Sequence, residues 1–306
     1  MLQTLTGFVV VGVAILIGYG LGRADLLGPH ARFVLGRLTF YILSPFLLFV
    51  VLSQSDVHTL FSALLPVSAI AAAVVIAAQA LLSRLVWRRR VGDALIAALS
   101  AAQVNSNNIG IPLSLYLLGS AAYPAPVILM QLLLFTPLTL AILDAATSGS
   151  RSVRRILWRT LRNPIVVASA LGALVAALGW QVPDLVLAPA TLLANACVPV
   201  LLISYGISLH GQRVLGTAGH RAEIVTASAL KLLAMPLLAW AVATYVFDMA
   251  AHDVLVVVVL AALPTAQNVF AYAQQYGVGE TVSRDTIFIT TVGCVPVLLG
   301  AVVLLG

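Results

Sequence analysis

The sequence predicts an all-α integral membrane protein with ten transmembrane helices, arranged as two inverted five-helix repeats in which helices 4 and 9 are broken and cross each other. Three observations predict this fold. The 306 residues are 61% hydrophobic and only 8% charged, with a mean hydropathy of +1.09, whereas soluble domains carry roughly 25% charged residues. The basic residues alternate between loops, and polar breaks interrupt two of the apolar segments.

Ten apolar stretches approach the roughly 20 residues that a helix needs to cross a bilayer. They run approximately over Leu5–Leu21, Phe33–Leu52, Ser62–Val86, Ala94–Leu118, Ala122–Leu143, Pro164–Leu178, Ala188–Leu209, Ile224–Phe247, Val254–Gln274 and Thr286–Leu305. We number them as helices 1 to 10. Residues 1–145 then form the first repeat and residues 164–306 the second, joined by a basic cytoplasmic linker over residues 146–163.

The Lys and Arg residues indicate how these helices are oriented. The loops after helices 1, 3, 5, 7 and 9 hold 15 of the 16 basic residues, and the other loops hold none. Short basic loops stay on the cytoplasmic side of a membrane, so we expect both termini to be extracytoplasmic. The sixteenth basic residue, Lys231, lies inside helix 8. Its side chain either snorkels to the cytoplasmic surface or faces the protein interior and contributes charge to a site.

The two halves of the chain share polar and proline positions. Three matched pairs recur at offsets of 154, 160 and 159 residues, namely Pro45 with Pro199, Asn108 with Asn268, and Pro137 with Pro296. Because each half has an odd number of spans, the two halves enter the membrane from opposite sides. Inverted repeats with paired interrupted helices are typical of secondary transporters, whose sites lie near the bilayer midplane.

The two breaks lie within Gln103–Leu113 of helix 4 and Leu263–Phe270 of helix 9. At 1.5 Å per residue both fall near the middle of the bilayer, on antiparallel helices. A helix half that restarts there presents free N–H groups and partial positive charge, which favours an anion. The candidate binding residues are Asn105, Ser106, Asn107, Asn108, Gly110, Pro112, Pro264, Thr265, Gln267 and Asn268. The alternative is that these amides only bond one helix to another.

The residues that are missing also limit the function. No Asp, Glu or His lies well inside a predicted span, so an aspartyl intramembrane protease or a buried-aspartate proton exchanger lacks its essential groups. We therefore expect no enzyme, no cofactor and no metal. Cys197 and Cys294 are interpreted as small buried apolar residues. The net charge of +6 comes from short loops and is not interpreted as a nucleic-acid surface.

Several motifs resemble the auxin efflux carrier family, which includes plant auxin carriers and bacterial permeases for malonate, malate and similar carboxylates. The resemblance rests on Ala262 to Phe270, Ala273 to Gly277 with Pro296 in the last helix, Asn108 to Leu113, and Lys231 to Pro236. It implies a scaffold of helices 1, 2, 6 and 7, often dimeric, and a transport domain of helices 3–5 and 8–10. It also implies a multi-pass protein of the bacterial inner membrane.

This chain departs from the plant carriers in two respects. Val269 stands where they have a second crossover proline, and the central loop has only about 20 residues. Plant-type substrate identity and regulation therefore do not carry over.

We expect a secondary transporter of a small organic anion, either auxin-like or a mono- or dicarboxylate, that works by elevator-type alternating access at the crossover of helices 4 and 9. Its partners are this anion, the lipid bilayer and a second copy bound through scaffold helices, with Lys231 as a possible charge partner. The alternatives are a channel and an ion-coupled (sodium or proton) symporter or exchanger of the bile-acid-symporter or NhaA type.

The alternation of basic loops predicts that Ser55 and Arg154 lie on opposite sides of the membrane. Single cysteines introduced by Ser55→Cys and Arg154→Cys should therefore react with a membrane-impermeant thiol reagent from opposite faces. Labelling of both positions from the same face would contradict the predicted topology.

Overall fold

The computed structural model describes residues 2–54, 63–120, 123–147, 158, 162, 164–211 and 214–306. Within these ranges the regular structure is helical, apart from one isolated β-bridge. The α-helices are α1 Leu2–Arg23, α2 Ala31–Leu38, α3 Ser44–Ser53, α4 Leu64–Leu85, α5 Val91–Ala102, α6 Ile111–Leu118, α7 Ala125–Met130, α8 Thr136–Thr147, α9 Pro164–Ala177, α10 Asp184–Leu209, α11 Arg221–Ala229, α12 Met235–Tyr245, α13 Ala251–Ala262, α14 Asn268–Tyr276 and α15 Glu280–Leu305.

Several helical segments are long and apolar enough to cross a bilayer. In the described residues these are Phe33–Ser53, Leu64–Leu85, Asp184–Ser204, Ala218–Tyr245 and Glu280–Leu305. Shorter apolar helices cover Gly12–Arg23, Val91–Ala102, Val166–Ala177 and Ala251–Ala262. The predicted all-α membrane protein is thus confirmed at this level. Most of the predicted linker, residues 146–163, lies outside the described residues.

Four five-residue π-helical turns interrupt the helices in the described ranges, and each ends two residues before a proline. They are Thr39–Leu43 before Pro45, Ser106–Gly110 before Pro112, Gln131–Phe135 before Pro137, and Leu230–Ala234 before Pro236. Proline lacks an N–H group, and its ring clashes with the carbonyl four residues earlier. Widening the preceding turn to bonds over five residues relieves that clash. Pro199 and Pro296, which the sequence matches to Pro45 and Pro137, lie instead inside α10 and α15.

The chain divides into two compact units. Unit 1 comprises residues 1–60, 111–125 and 157–213. In it, α1 packs along α10 and α9 packs on α3. Glycines allow these close approaches, because a Cβ on Gly18 would overlap the backbone of Ile203 and a Cβ on Gly172 would lie 2.8 Å from the Phe49 carbonyl oxygen. Small residues at helix contacts are the usual means of close packing in membranes.

Unit 2 comprises residues 61–110, 126–156 and 214–306. Here α4 packs on α5, and α13 packs on both α12 and α15. One hydrophobic cluster joins Ile96 and Leu99 of α5 to Leu143 of α8 and to Val269 and Tyr272 of α14. This cluster lies in the parts of helices 4, 5 and 9 that flank the two breaks.

Carboxylates at the helix ends of unit 2 are buried, which the sequence did not predict. Glu223, just before the predicted start of helix 8, is 1% exposed. Its two carboxylate oxygens accept hydrogen bonds from Ser83 Oγ at 2.7 Å and Arg89 Nε at 2.8 Å. Asp285 is fully buried and accepts a hydrogen bond from the Leu215 N–H at 2.8 Å. These hydrogen bonds join the start of α11 to α4 and to Arg89 after it, and α15 to the chain before α11.

The contact between α1 and α10 predicts a difference between two glycines of the same helix. The Gly18→Ala substitution should lower the thermal unfolding midpoint in detergent, because its Cβ meets the Ile203 backbone and overpacking costs about 1–3 kcal/mol. The matched Gly20→Ala control should leave the midpoint unchanged or slightly higher, since nothing lies within 4 Å of that position. Equal effects of the two substitutions would contradict this packing.

Candidate functional site

The two broken helices pair with each other inside unit 2. Helix α5 ends at Ala102, and α13 ends at Ala262. Beyond these ends, Val104 and Thr265 form an antiparallel β-bridge. The Asn105 N–H donates to the Pro264 carbonyl at 2.8 Å, and the Ala266 N–H donates to the Gln103 carbonyl at 3.0 Å. The close approach that matched depths predicted for the two breaks is therefore present.

Local sequence explains the second break. Pro264 has no N–H group and disfavours the helical region for the residue before it. Leu263 accordingly leaves the helix with φ −56° and ψ 150°, and the chain resumes as α14 at Asn268. The break falls where the sequence places it.

The first break lies at the start of the predicted stretch Gln103–Leu113. The chain leaves the helix at Gln103, with φ −70° and ψ 126°, and becomes helical again at Ser106. Gly110 closes the following π-turn, and Pro112 is the second residue of α6, in unit 1. Pro112 therefore lies after the break, because the π-turn accommodates this proline without leaving the helix.

Side chains satisfy the backbone groups that the two breaks release. The Thr265 hydroxyl donates to the Ser100 carbonyl at 2.6 Å, and the Thr265 N–H donates to Thr290 Oγ1 at 3.1 Å. Gln131 Nε2 donates to the Val104 carbonyl at 3.1 Å and to Ser106 Oγ at 3.3 Å. Each break is thus completed by residues from other helices, as freed backbone groups in a bilayer require.

The predicted binding residues differ in how deeply they are buried around this pairing. Asn105, Ser106 and Thr265 are buried, at 3%, 1% and 0% exposure, whereas Asn107, Gln267 and Asn268 are partly buried. A Cβ on Gly110 would lie 2.8 Å from Leu263 Cδ1, so Gly110 lets the π-turn approach the second break. The side chains of Asn108 and Pro112 lie outside the described set.

Several side-chain amide oxygen and nitrogen atoms at the breaks are buried without a hydrogen-bond partner among the described residues. They belong to Gln103, through both Oε1 and Nε2, and to Asn107 and Asn268, through Oδ1. Buried polar atoms nearly always have a partner, so these ends are suited to bind a polar ligand or water. Asn268 keeps one bond, to the Tyr272 side chain one turn along α14.

Gln103 and Gln131 were missed as candidates, although both carry amides at the first break. They line a cleft with Ser68, Met235 and Ala261, with an empty volume of about 300 Å³ including its open mouth. Gln103 lies directly after the apolar run of α5, and Gln131 stands six residues before Pro137, as Ser106 does before Pro112. A polar residue five or six positions before an intramembrane proline was the signal that could have identified Gln131.

Lys231 is fully buried in unit 2, at 0% exposure. Its Nζ donates to the Ala261 carbonyl at 2.6 Å and contacts Met235 Sδ at 3.4 Å. Of the two placements that the sequence left open, the side chain thus adopts the interior one. It belongs to the π-turn Leu230–Ala234 before Pro236. The amino group of Lys231 thus adds a hydrogen-bond donor at the second break, beside the donors at both breaks.

Comparison with known proteins decides the family. Residues 4–302 match the family described as "Membrane transport protein". The chain belongs to this family. The predicted auxin efflux carrier resemblance is thereby confirmed. A curated relative, the "Putative malonate transporter" of Rhizobium meliloti (strain 1021), is 28% identical over 301 residues, which cover 95% of this chain and 92% of the relative. The family assignment and the apolar helices establish a multi-pass membrane transport protein.

The hydroxyl of Thr265 joins the two breaks, so its removal should destabilise the protein. Thr265→Val should lower the free energy of unfolding by about 1–3 kcal/mol, because the buried Ser100 carbonyl loses its donor. Thermal unfolding in detergent measures this effect. Thr291→Val is the matched control, since the Thr291 hydroxyl bonds the Ile287 carbonyl of its own helix. An equal or smaller effect at Thr265 would show that this contact does not support the crossover.

Proposed function

We propose that this chain is a secondary transporter that moves a small organic anion across the membrane by elevator-type alternating access at the crossover of helices 4 and 9. The observation that carries the proposal is the pairing of the two breaks through Val104 and Thr265. It brings the restarting halves of both helices next to one region of unit 2. Membership of the membrane transport family is consistent with this function.

The charge of the substrate follows from the groups around the crossover. The first N–H groups of a helix have no partner within it, and the helix start carries about half a positive charge. Here the restarts lie at Ser106 and Asn268. Asn107 and Asn268 add amides, and Lys231 adds a buried amino group. In the described residues, the ion pairs involve Glu223 and Asp285, which lie outside the two breaks. Such a region attracts a carboxylate and repels a cation.

A short carboxylate is the substrate that we propose to test first. The relative's name specifies malonate, a small dicarboxylate. A small mono- or dicarboxylate is therefore the first class of compound to test. An auxin-like monocarboxylate remains the comparison compound, because the family includes the auxin carriers.

The proposed architecture has ten transmembrane helices in two inverted repeats, with a scaffold of helices 1, 2, 6 and 7 and a transport domain of helices 3–5 and 8–10. The division into units supports it in part, because unit 1 holds α1–α3, α9 and α10, and unit 2 holds α4, α5, α7, α8 and α11–α15. One helix departs from the proposed division, because α6, which forms the second half of helix 4, belongs to unit 1. We propose further that scaffold helices form a homodimer in the bacterial inner membrane, with both termini extracytoplasmic.

If the helix restarts recognise negative charge, Asn108→Ala and Asn268→Ala should each weaken carboxylate binding roughly ten- to a hundredfold, because hydrogen bonds to charged groups contribute about 1.5–3 kcal/mol. Uptake and binding of radiolabelled malonate by proteoliposomes measure this, within a panel of mono- and dicarboxylates and indole-3-acetate. Asn195→Ala is the matched control, because Asn195 is exposed on α10 in unit 1.

The methyl ester or amide of a transported acid should bind much more weakly than the free acid. Equal binding of acid and ester would show that the crossover does not recognise the charge, and would overturn the anion-transporter proposal. Failure of the whole panel to be transported, with folded protein in the vesicles, would also overturn it.

A further inference from the structure

We propose that the side-chain amide of Gln103 binds the protonated carboxyl group of a short dicarboxylic acid, so that this chain takes up such an acid as its monoanion. This inference rests on the proposed transport function. It specifies the protonation state of the substrate and assigns the neutral end of the substrate to one residue of unit 2.

The amide of Gln103 is buried, and neither of its polar atoms is bonded. Gln103 is 1% exposed. Within the described part of the chain, its Oε1 and its Nε2 both lack a hydrogen-bond partner. Exchanging the amide oxygen and nitrogen would not change this, because both positions are unpaired. An unpaired buried polar group costs free energy, so this amide in an otherwise apolar segment indicates a ligand.

A second glutamine of the same cleft provides the contrast. Gln131 Nε2 donates to the Val104 carbonyl at 3.1 Å and to Ser106 Oγ at 3.3 Å. These bonds are internal to the crossover and hold the first break in place. Gln103 lines the cleft as well, but its amide is left for a molecule that enters the cleft.

The surroundings of this amide favour a neutral partner. Most of the cleft is lined by apolar residues, among them Ala72, Val127, Met130, Phe135 and Leu260. Of the described residues, those that line it include no Asp, Glu, His, Lys or Arg. Apolar surroundings strongly disfavour an ionised carboxylate, whereas a neutral carboxyl group is tolerated when it is hydrogen-bonded. The cleft therefore selects the protonated form.

An amide and a protonated carboxyl group are complementary. The amide N–H donates to the carboxyl C=O, and the carboxyl O–H donates to the amide oxygen, so that two hydrogen bonds close a ring. An ionised carboxylate has acceptors only. It would leave the amide oxygen of Gln103 unpaired beside a negative oxygen. The proton belongs to the substrate throughout, and no side chain has to accept it.

The ionised carboxylate of the same molecule has the helix restart as its partner. Ser106, where the first restart begins, follows Gln103 by three residues. Gln131 contacts Ser106 Oγ and also lines the cleft, so the cleft adjoins this restart. A short dicarboxylic acid with one ionised and one neutral end has the two groups that this arrangement requires.

Titratable side chains near the cleft have to be separated from the titration of the substrate itself. Lys231 Nζ contacts two lining residues, through the Ala261 carbonyl and Met235 Sδ. Other charged residues of the surrounding helices lie in terminal turns, namely Arg84 of α4, Asp93 of α5, Asp144 of α8 and Asp253 of α13. A ligand whose own charge does not change with pH controls for all of these groups.

Three ligands of similar size provide the first test. Malonamate, the half-amide of malonate, keeps one carboxylate and carries a neutral group with both donors and an acceptor. Monomethyl malonate also keeps one carboxylate, but its ester has acceptors only. Wild-type protein in detergent should bind malonamate about tenfold more tightly than monomethyl malonate, because the ester leaves the Gln103 oxygen unpaired. Isothermal titration calorimetry measures both affinities.

The pH dependence of malonate binding is the second test. Lowering the pH raises the fraction of malonate that is monoanionic. The affinity for total malonate should increase in proportion to this fraction, whereas the affinity for malonamate should stay constant. An equal change for both ligands would report a titration of the protein and would overturn the inference. A malonate affinity that follows the dianion would overturn it as well.

A substitution of Gln103 connects the ligand preference to this residue. Gln103→Met keeps a side chain of similar length and removes both polar atoms. Its preference for malonamate over the ester should fall to about one, because the amide that distinguishes them is gone. Its thermal unfolding midpoint should be unchanged or higher, since no hydrogen bond of the described protein is lost.

Gln79→Met is the matched control. Gln79 is a second fully buried glutamine of unit 2, and its Nε2 donates to Ser83 Oγ at 3.2 Å. It does not belong to the lining of the cleft. This variant should keep the wild-type ligand preference and should have a lower unfolding midpoint, because a buried hydrogen bond is lost.

The outcomes separate this inference from the proposed function. If Gln103→Met keeps the wild-type preference for malonamate, the amide binds water at most and the inference is wrong. It is also wrong if the wild type transports carboxylates without preferring malonamate to its ester, or transports monocarboxylates alone, and the anion-transporter proposal then stands. Absence of transport for the whole carboxylate panel would instead count against the proposed function.

Discussion

Backbone pairing between two broken helices is the interaction on which unit 2 depends. Each break removes helical hydrogen bonds from a segment predicted to lie in the bilayer, where an unpaired backbone group costs several kcal/mol. The Asn105 N–H bonds to the Pro264 carbonyl, and the Ala266 N–H bonds to the Gln103 carbonyl. These two hydrogen bonds offset part of that cost for both helices at once. Neither break would be stable alone, so the two must form together. This requirement explains why polar residues concentrate at two distant points in an otherwise apolar chain.

Three prolines lie close in sequence to the residues of this pairing or to the side chains that contact it. Pro112, Pro137 and Pro236 each follow a π-helical turn, and those turns carry Ser106, Gln131 and Lys231. A π-turn contains one extra residue per turn, which changes the direction of the side chains before it relative to the rest of the helix. Ser106 and Gln131 thereby meet at the first break, and Lys231 reaches the second. The prolines thus determine where polar side chains point, while the breaks determine what those side chains contact.

Much of the fold could be predicted because it depends on local composition. Apolar runs of sufficient length, an excess of Arg in alternate loops and proline within apolar segments are visible without any tertiary contact. The second break was located correctly for the same reason, since Pro264 forces it from its own position. The first break was predicted only to within Gln103–Leu113, because the proline of that stretch, Pro112, follows a π-turn and does not mark the break. Nothing in the residues Gln103–Asn105 by themselves requires the chain to leave the helix there.

The sequence alone determined the all-α membrane class, the family and the two polar regions, since these follow from hydropathy and from motifs within single helices. Tertiary structure alone decided which polar groups meet. Gln131 appears in the sequence as one amide in an apolar helix, and its role depends on the Val104 carbonyl lying at the first break, within reach of its Nε2. Lys231 could equally have reached the membrane surface, because its long side chain permits both directions. Its direction was decided by the Ala261 carbonyl of α13, which accepts from Lys231 Nζ. This carbonyl lacks its helical donor because the Thr265 N–H bonds to Thr290 instead. Both contacts exist only after the helices have packed.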